Sequence, residues 1–146
     1  MPLQRLAVLI AALWWGGISA LSFLAVPLLF ASLGRPAVAG PVAARVFSLQ
    51  CWAGLVLGLA LLTILRRWRS TGGSTISAPA LTTIGFVLFA MLLALLQEFG
   101  VAQNIVTARA SGGDLRLWHG VGSAMVLGQW LCVGVVLWRL SAPRPT

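Results

Sequence analysis

Few residues in this chain can do chemistry. Across 146 residues there are two acidic side chains, Glu98 and Asp114, one histidine, His119, and two cysteines, Cys51 and Cys132. Arg45, Gln50, Glu98 and His119 stand inside or at the edge of long apolar segments. A charge at the centre of a bilayer costs about 2.5–3.5 kcal/mol on insertion scales, so these groups are expected to face neighbouring helices or the interface. Placed by residue count, the four form one polar layer near the outer membrane face. Three uses fit that layer. An Arg45–Glu98 ion pair, with His119 hydrogen-bonded beside it, would lock the outer ends of three helices. Glu98 and His119 could instead carry a substrate or a proton, since histidine switches charge near neutral pH. A metal is the third use, but one histidine and one carboxylate are too few donors. It would have to recruit Cys51, Met91, Met125 or a second subunit, so no metal ligand is assigned.

Other chemistries lack their residues. A membrane cytochrome usually spends two axial histidines, and this chain has one. No dinucleotide fingerprint, phosphate-binding loop, nucleophile elbow or HExxH is present. No catalytic residue and no cofactor is assigned, and the chain reads as a non-enzyme. Cys51 and Cys132 have no CxxC partner and read as small apolar residues.

The elements that must position these groups are uncharged runs fenced by arginines. Leu6–Gly34, Val46–Leu65, Ser70–Gln97 and Leu117–Trp138 carry no formal charge. About 20 apolar residues in a helix cross a hydrocarbon core roughly 30 Å thick. Spans are therefore predicted at about 6–30, 46–65, 80–107 and 117–138, in a single domain over residues 1–146. The fold class is all-α integral membrane, a four-transmembrane-helix antiparallel bundle. Composition agrees, at 60% hydrophobic, 8% charged and a mean hydropathy of +0.99. A soluble chain this short could not hide so much apolar surface. Gly34–Pro41 reads as a tight turn, Ser70–Pro79 as a polar linker, and Ser111–Asp114 as a turn. Pro27 is expected to kink the first span. The small residues Ile18-Ser19-Ala20 resemble a signal-peptidase site, but the apolar run continues beyond them, so an uncleaved span is expected.

The net charge of +8 rests on ten arginines and no lysine. These sit at span ends, where topology and anionic head groups account for them, so no nucleic-acid partner is expected. Arg5, Arg66, Arg67, Arg69, Arg139 and Arg144 fall on one side, and Arg35, Arg45, Arg109 and Arg116 on the other. The larger share marks the cytoplasm, which puts both termini inside a cell inner membrane. Trp68, Trp118 and Trp138 fall at span ends, as an interfacial aromatic belt requires.

Helices in lipid associate through small residues that permit close approach. Gly16 and Ala20 on the first span, Gly54 and Gly58 on the second, and Gly120, Ala124 and Gly128 on the fourth are expected to form packing stripes, within the bundle or against a second copy or membrane partner. Trp14 and Trp130 are deep for indole N–H groups. They read either as packed against a backbone carbonyl or Gln129, or as a surface on which a ligand stacks.

The segments Leu13-Trp14-Trp15-Gly16-Gly17, Pro27-Leu28-Leu29-Phe30, Ala39-Gly40 and Arg45-Val46-Phe47 together resemble the bacterial domain-of-unknown-function 4149 family, related to the transmembrane protein 205 family. Arg116-Leu117-Trp118-His119-Gly120-Val121-Gly122-Ser123 is similar to that family's R-x-x-H-G-x-S segment, with Gly122 at the serine position. Arg45, His119 and Gly120 match the patterned residues; Glu98 is singled out on physical grounds alone. The resemblance covers essentially the whole chain and implies a four-span membrane protein without an assigned activity. Its eukaryotic relatives imply a link to platinum-drug resistance, and the copper-resistance protein D family has a comparable layout. The expected function is a non-enzymatic membrane scaffold or accessory module. The alternative is a transport or metal- and drug-tolerance protein using the outer polar layer.

Overall fold

The computed structural model describes residues 2–71 and 78–142. It is helical throughout, with α1 (Pro2–Ile18), a π-helical segment (Ser19–Ala25), α2 (Val26–Leu33), α3 (Pro36–Thr71), α4 (Ala78–Leu96), a second π-helical segment (Gln97–Val101), α5 (Ala102–Ser111) and α6 (Leu115–Ser141). These join into four helices long and apolar enough to cross a membrane: Leu3–Leu33, Pro36–Trp68, Ala80–Ser111 and Leu115–Ser141. Arg144, the side chain of Arg69 and most of the Ser70–Pro79 linker lie outside the described residues.

All four helices overrun their predicted ends, and the second does so most. The expected turn at Gly34–Pro41 shrinks to Gly34 and Arg35, and α3 starts at Pro36. Proline at a helix start loses nothing, because that N–H has no intrahelical partner and the ring already holds a helical φ. Pro41, only five residues further on, removes a single bond near the end of a long helix. Gly34 makes the reversal possible with a left-handed φ of 60°, which residues bearing a Cβ avoid. At the opposite junction Gly112 does the same at φ 76°, and Asp114 caps α6 by accepting the Leu117 N–H at 3.0 Å. Asp114 is therefore spent on a helix start.

Pro27 acts through a wide turn. Its ring presses on the carbonyl four residues back, and the π-helical segment immediately before α2 widens the coil there, with the Val26 N–H reaching back to the Leu21 carbonyl. The second wide turn, Gln97–Val101, has no proline to account for it, and it carries Gln97 and Glu98. Single wide turns inside helices are frequent at functional sites.

The first helix packs on the second and fourth, and the third packs on the second and fourth. The start of the first helix meets the end of the fourth, and their middles meet each other. The Gln4 amide donates to the Leu140 carbonyl at 3.2 Å, and Ser19 meets Trp130. The core keeps aliphatic groups such as Ile18, Leu61, Val87 and Val133, but many large ones lie on the outside. Small side chains (Ala7, Ala11, Ala90, Ala94) and polar ones (Gln50, Gln97, Gln129) are buried, while Leu24, Leu28 and Leu49 are about two-thirds exposed. Helices whose large aliphatic groups point outward and whose small groups touch are arranged for an apolar solvent.

Of the small-residue stripes, the structure uses some and leaves others outside. A Cβ added at Gly58 would fall 2.7 Å from Met91 Cγ and Sδ, one at Gly54 would lie 2.8 Å from Trp14 Nε1, and one at Gly128 would lie 3.0 Å from Leu93 Cδ1. These glycines are notches that receive a large side chain, rather than smooth faces for a second backbone. Gly16 and Gly120 have nothing within 4 Å of an added Cβ, and Ala20 and Ala124 are exposed. Gly134, absent from the predicted stripes, is a notch for Trp15, whose Nε1 would lie 3.0 Å from an added Cβ.

Candidate functional site

Polar side chains near the middles of the four long helices pair off around the bundle, one set on each seam, and we call the whole set the ring. On the seam between the first and second helices the Ser22 hydroxyl donates to Gln50 Oε1 at 3.1 Å. Between the second and third, Ser48 donates to Glu98 Oε1 at 2.6 Å. Between the third and fourth, Gln129 Nε2 donates to Gln97 Oε1 at 2.8 Å, the two amides being 2% and 7% exposed. Between the fourth and first, Trp130 Nε1 donates to Ser19 Oγ at 2.9 Å, and the Ser19 hydroxyl passes on to the Trp15 carbonyl at 2.8 Å. Every seam thus has at least one bond between two side chains.

Local structure explains who faces whom. Ser48 and Gln50 are two residues apart on α3, so they point to different neighbours, one toward the third helix and one toward the first. Gln97 and Glu98 are consecutive in the wide turn and reach the fourth and second helices respectively. Around Trp130 the Trp15 ring stacks at a centroid distance of 5.3 Å, and Phe23 meets it edge-on at 5.8 Å. Trp130 is therefore packed, as one of the two sequence readings has it, but its N–H partner is a serine hydroxyl and not a backbone carbonyl or Gln129. Trp14, buried against Gly54 and Gly58, fills a notch.

This ring replaces the expected outer layer. The long helices move their own midpoints, and at about 1.5 Å per residue Ser22, Ser48, Gln50, Gln97, Glu98 and Gln129 all fall within about 6 Å of them. Arg45 and His119 are exposed and lie roughly 10 Å or more from the midpoints of their helices. Among the described residues no ion pair joins Arg45 to Glu98, whose hydrogen bond comes from Ser48. His119 is not part of the polar cluster either, because α6 turns it away from the other helices in its first turns. Of the four candidate residues the structure brings Gln50 and Glu98 into one ring and leaves Arg45 and His119 outside it. The ring members missed from sequence are Ser19, Ser22, Ser48, Gln97 and Gln129. Ser19, Ser22 and Gln129 stand near the centres of the first and fourth uncharged runs, whereas Ser48 and Gln97 stand near the ends of theirs, so position in a run marks only part of the set.

One donor in the ring is left open. Gln50 is 5% exposed, its Oε1 is used by Ser22, and its Nε2 has no hydrogen-bond partner. Glu98 is half-buried and borders an open groove of about 410 Å³ together with Phe99, Ala102, Gln103, Val106 and Thr107. Cys51 and Cys132 are buried free thiols on the second and fourth helices. Among the described residues no three of histidine, cysteine, aspartate and glutamate converge as a metal would need.

No curated protein and no solved structure matches the chain. A family model does, over residues 9–114, a stretch that takes in three of the four apolar helices and the ring positions from Ser19 to Glu98. With well over half of its length matched, the chain belongs to the family described as Domain of unknown function (DUF4149).

Proposed function

We propose that this protein is a small multi-pass membrane module without a catalytic centre, built as an antiparallel bundle of four spans and clamped at mid-depth by its polar ring. The single observation that carries this reading is the closure of the ring. At least one side-chain pair on each of four seams uses the polar side chains as mutual partners, which is how a bundle fixes register where lipid offers no hydrophobic drive. Membrane hydrogen bonds average about 0.6 kcal/mol each, so the ring contributes on the order of 2–3 kcal/mol, enough to select one register among several. The outward small residues Gly16, Ala20, Gly120 and Ala124 leave narrow strips where a helix of a partner or a second copy can pack closely. The arginine bias supports an inner-membrane setting with both termini in the cytoplasm. In this reading the likeness to the transmembrane protein 205 family concerns the shared architecture.

A second reading, a transport or tolerance protein, is favoured by one specific feature: Glu98, the sole carboxylate within the four apolar helices, borders an open groove. Proteoliposomes separate the two. The module reading expects proton and divalent-metal leak rates equal to those of protein-free vesicles. A rate raised several-fold by the wild-type chain and abolished by Glu98→Gln would replace it with the transport reading.

A further inference from the structure

The groove beside Glu98 combines three properties that select a ligand. First, it carries a carboxylate with spare capacity: Oε1 takes the Ser48 hydroxyl, and among the described residues Oε2 has no hydrogen-bond partner. Second, it lies on the outer flank of the bundle. All its lining residues come from one continuous stretch, Glu98 to Thr107, so it opens sideways toward the acyl chains instead of into the interior. Third, Phe99 of the groove belongs to an aromatic pair that reaches across to the second helix. Phe99 and Trp52 meet edge-on with centroids 6.3 Å apart, and both rings are about half exposed.

These properties exclude most ligand classes. An anion would face Glu98. A hard metal ion asks for six or more oxygens, and the groove offers one carboxylate with Gln103 and Thr107. A neutral lipid chain would gain nothing from a carboxylate at this depth. A cation with an apolar body is the remaining class. It already resides in the membrane, its charge is weakly hydrated, and it gives Glu98 a counter-ion that none of the described residues, Arg45 included, supplies. Exposed aromatic faces add attraction for such a charge.

We propose that the Glu98 groove binds a lipophilic organic cation that enters laterally from the bilayer, with Glu98 pairing its charge and Phe99 and Trp52 contacting its apolar body. The site goes beyond the module reading; it shares with that reading only the placement of the four helices in lipid.

The test is equilibrium binding of radiolabelled tetraphenylphosphonium to the full-length purified protein in nanodiscs, with empty nanodiscs as the blank. Saturable binding at one site per chain is expected, lost at least tenfold in Glu98→Gln and weakened several-fold in Phe99→Ala. The isosteric anion tetraphenylborate is expected not to compete. Val106→Trp fills the groove without touching the carboxylate or the ring, so it keeps the proposal open to refutation if Glu98→Gln does not yield folded protein; it too is expected to lose binding. Wild-type binding no greater than the blank, equal binding by a monodisperse Glu98→Gln, or equal binding by Val106→Trp would each overturn the site. Loss of the site with the four spans still protected in the membrane would leave the module reading standing.

Discussion

Gln97 and Gln50 are both buried glutamines near mid-depth, yet they stand in opposite circumstances. The Gln97 carbonyl holds the amide of Gln129, which is 2% exposed. Replacing Gln97 with leucine strands that amide, and an unpartnered buried donor costs about 1–3 kcal/mol. Gln50 already has an unpartnered Nε2, and Ser22 can turn its hydroxyl to a carbonyl of its own helix when Gln50 is gone. Thermal unfolding in detergent is therefore expected to show Gln97→Leu losing about 1–2 kcal/mol and Gln50→Leu staying within about 0.5 kcal/mol of wild type. Equal losses would mean that the ring bonds are not what distinguishes these positions. At this scale the sequence was partly legible. Glu98 and Gln50 stand out because charge and amide groups are costly in lipid. Ser22 and Ser48 do not, because a lone serine in an apolar run is common and can always bond to its own helix.

At the scale of the element, the runs fenced by arginines marked four helices and the Ser111–Asp114 turn, and the structure has helices in each place. Apolarity alone places the helix ends too far inside. The helices continue into polar or proline-bearing residues, as Pro36 and Pro41 on α3 show. The wide turns were not legible at all, since a single extra residue in a coil leaves no compositional mark. The glycine stripes were legible as small residues but not as to which face they occupy. Gly58 and Gly16 make the contrast testable. A valine at Gly58 puts its Cβ into Met91, and crowding of this kind costs about 1–3 kcal/mol, whereas Gly16 has open space around it. Gly58→Val is expected to lower the melting temperature by several degrees while Gly16→Val leaves it nearly unchanged in a monomeric preparation. A larger effect at Gly16 would indicate that its strip is already covered by a second chain.

For the whole molecule, the apolar exterior and the ring describe one object: four helices long and apolar enough to cross a membrane, with many large aliphatic groups on the outside and polar groups paired between helices. The arginine distribution adds a direction, with Arg35 and the Gly112–Gly113 turn on the face opposite the N-terminus. With Cys51 and Cys132 changed to alanine, Arg35→Cys and Gly113→Cys are expected to react with an impermeant thiol reagent from the periplasmic side, and Gln4→Cys only after the membrane is opened. The most direct measurement joins both halves of the account at one place. In the same cysteine-free background, Gln97→Cys and Gln129→Cys are introduced together and the protein is kept in its native membrane. A membrane-permeant bifunctional thiol reagent long enough to replace the two glutamine side chains is expected to join the third and fourth helices within one chain. A direct disulfide needs closer Cβ atoms than a bond between side-chain ends requires. Both thiols, when free, are expected to resist an impermeant reagent from either side. Thiols that label freely without detergent, or that fail to be joined by the bifunctional reagent, would contradict a ring held at the middle of a membrane-spanning bundle.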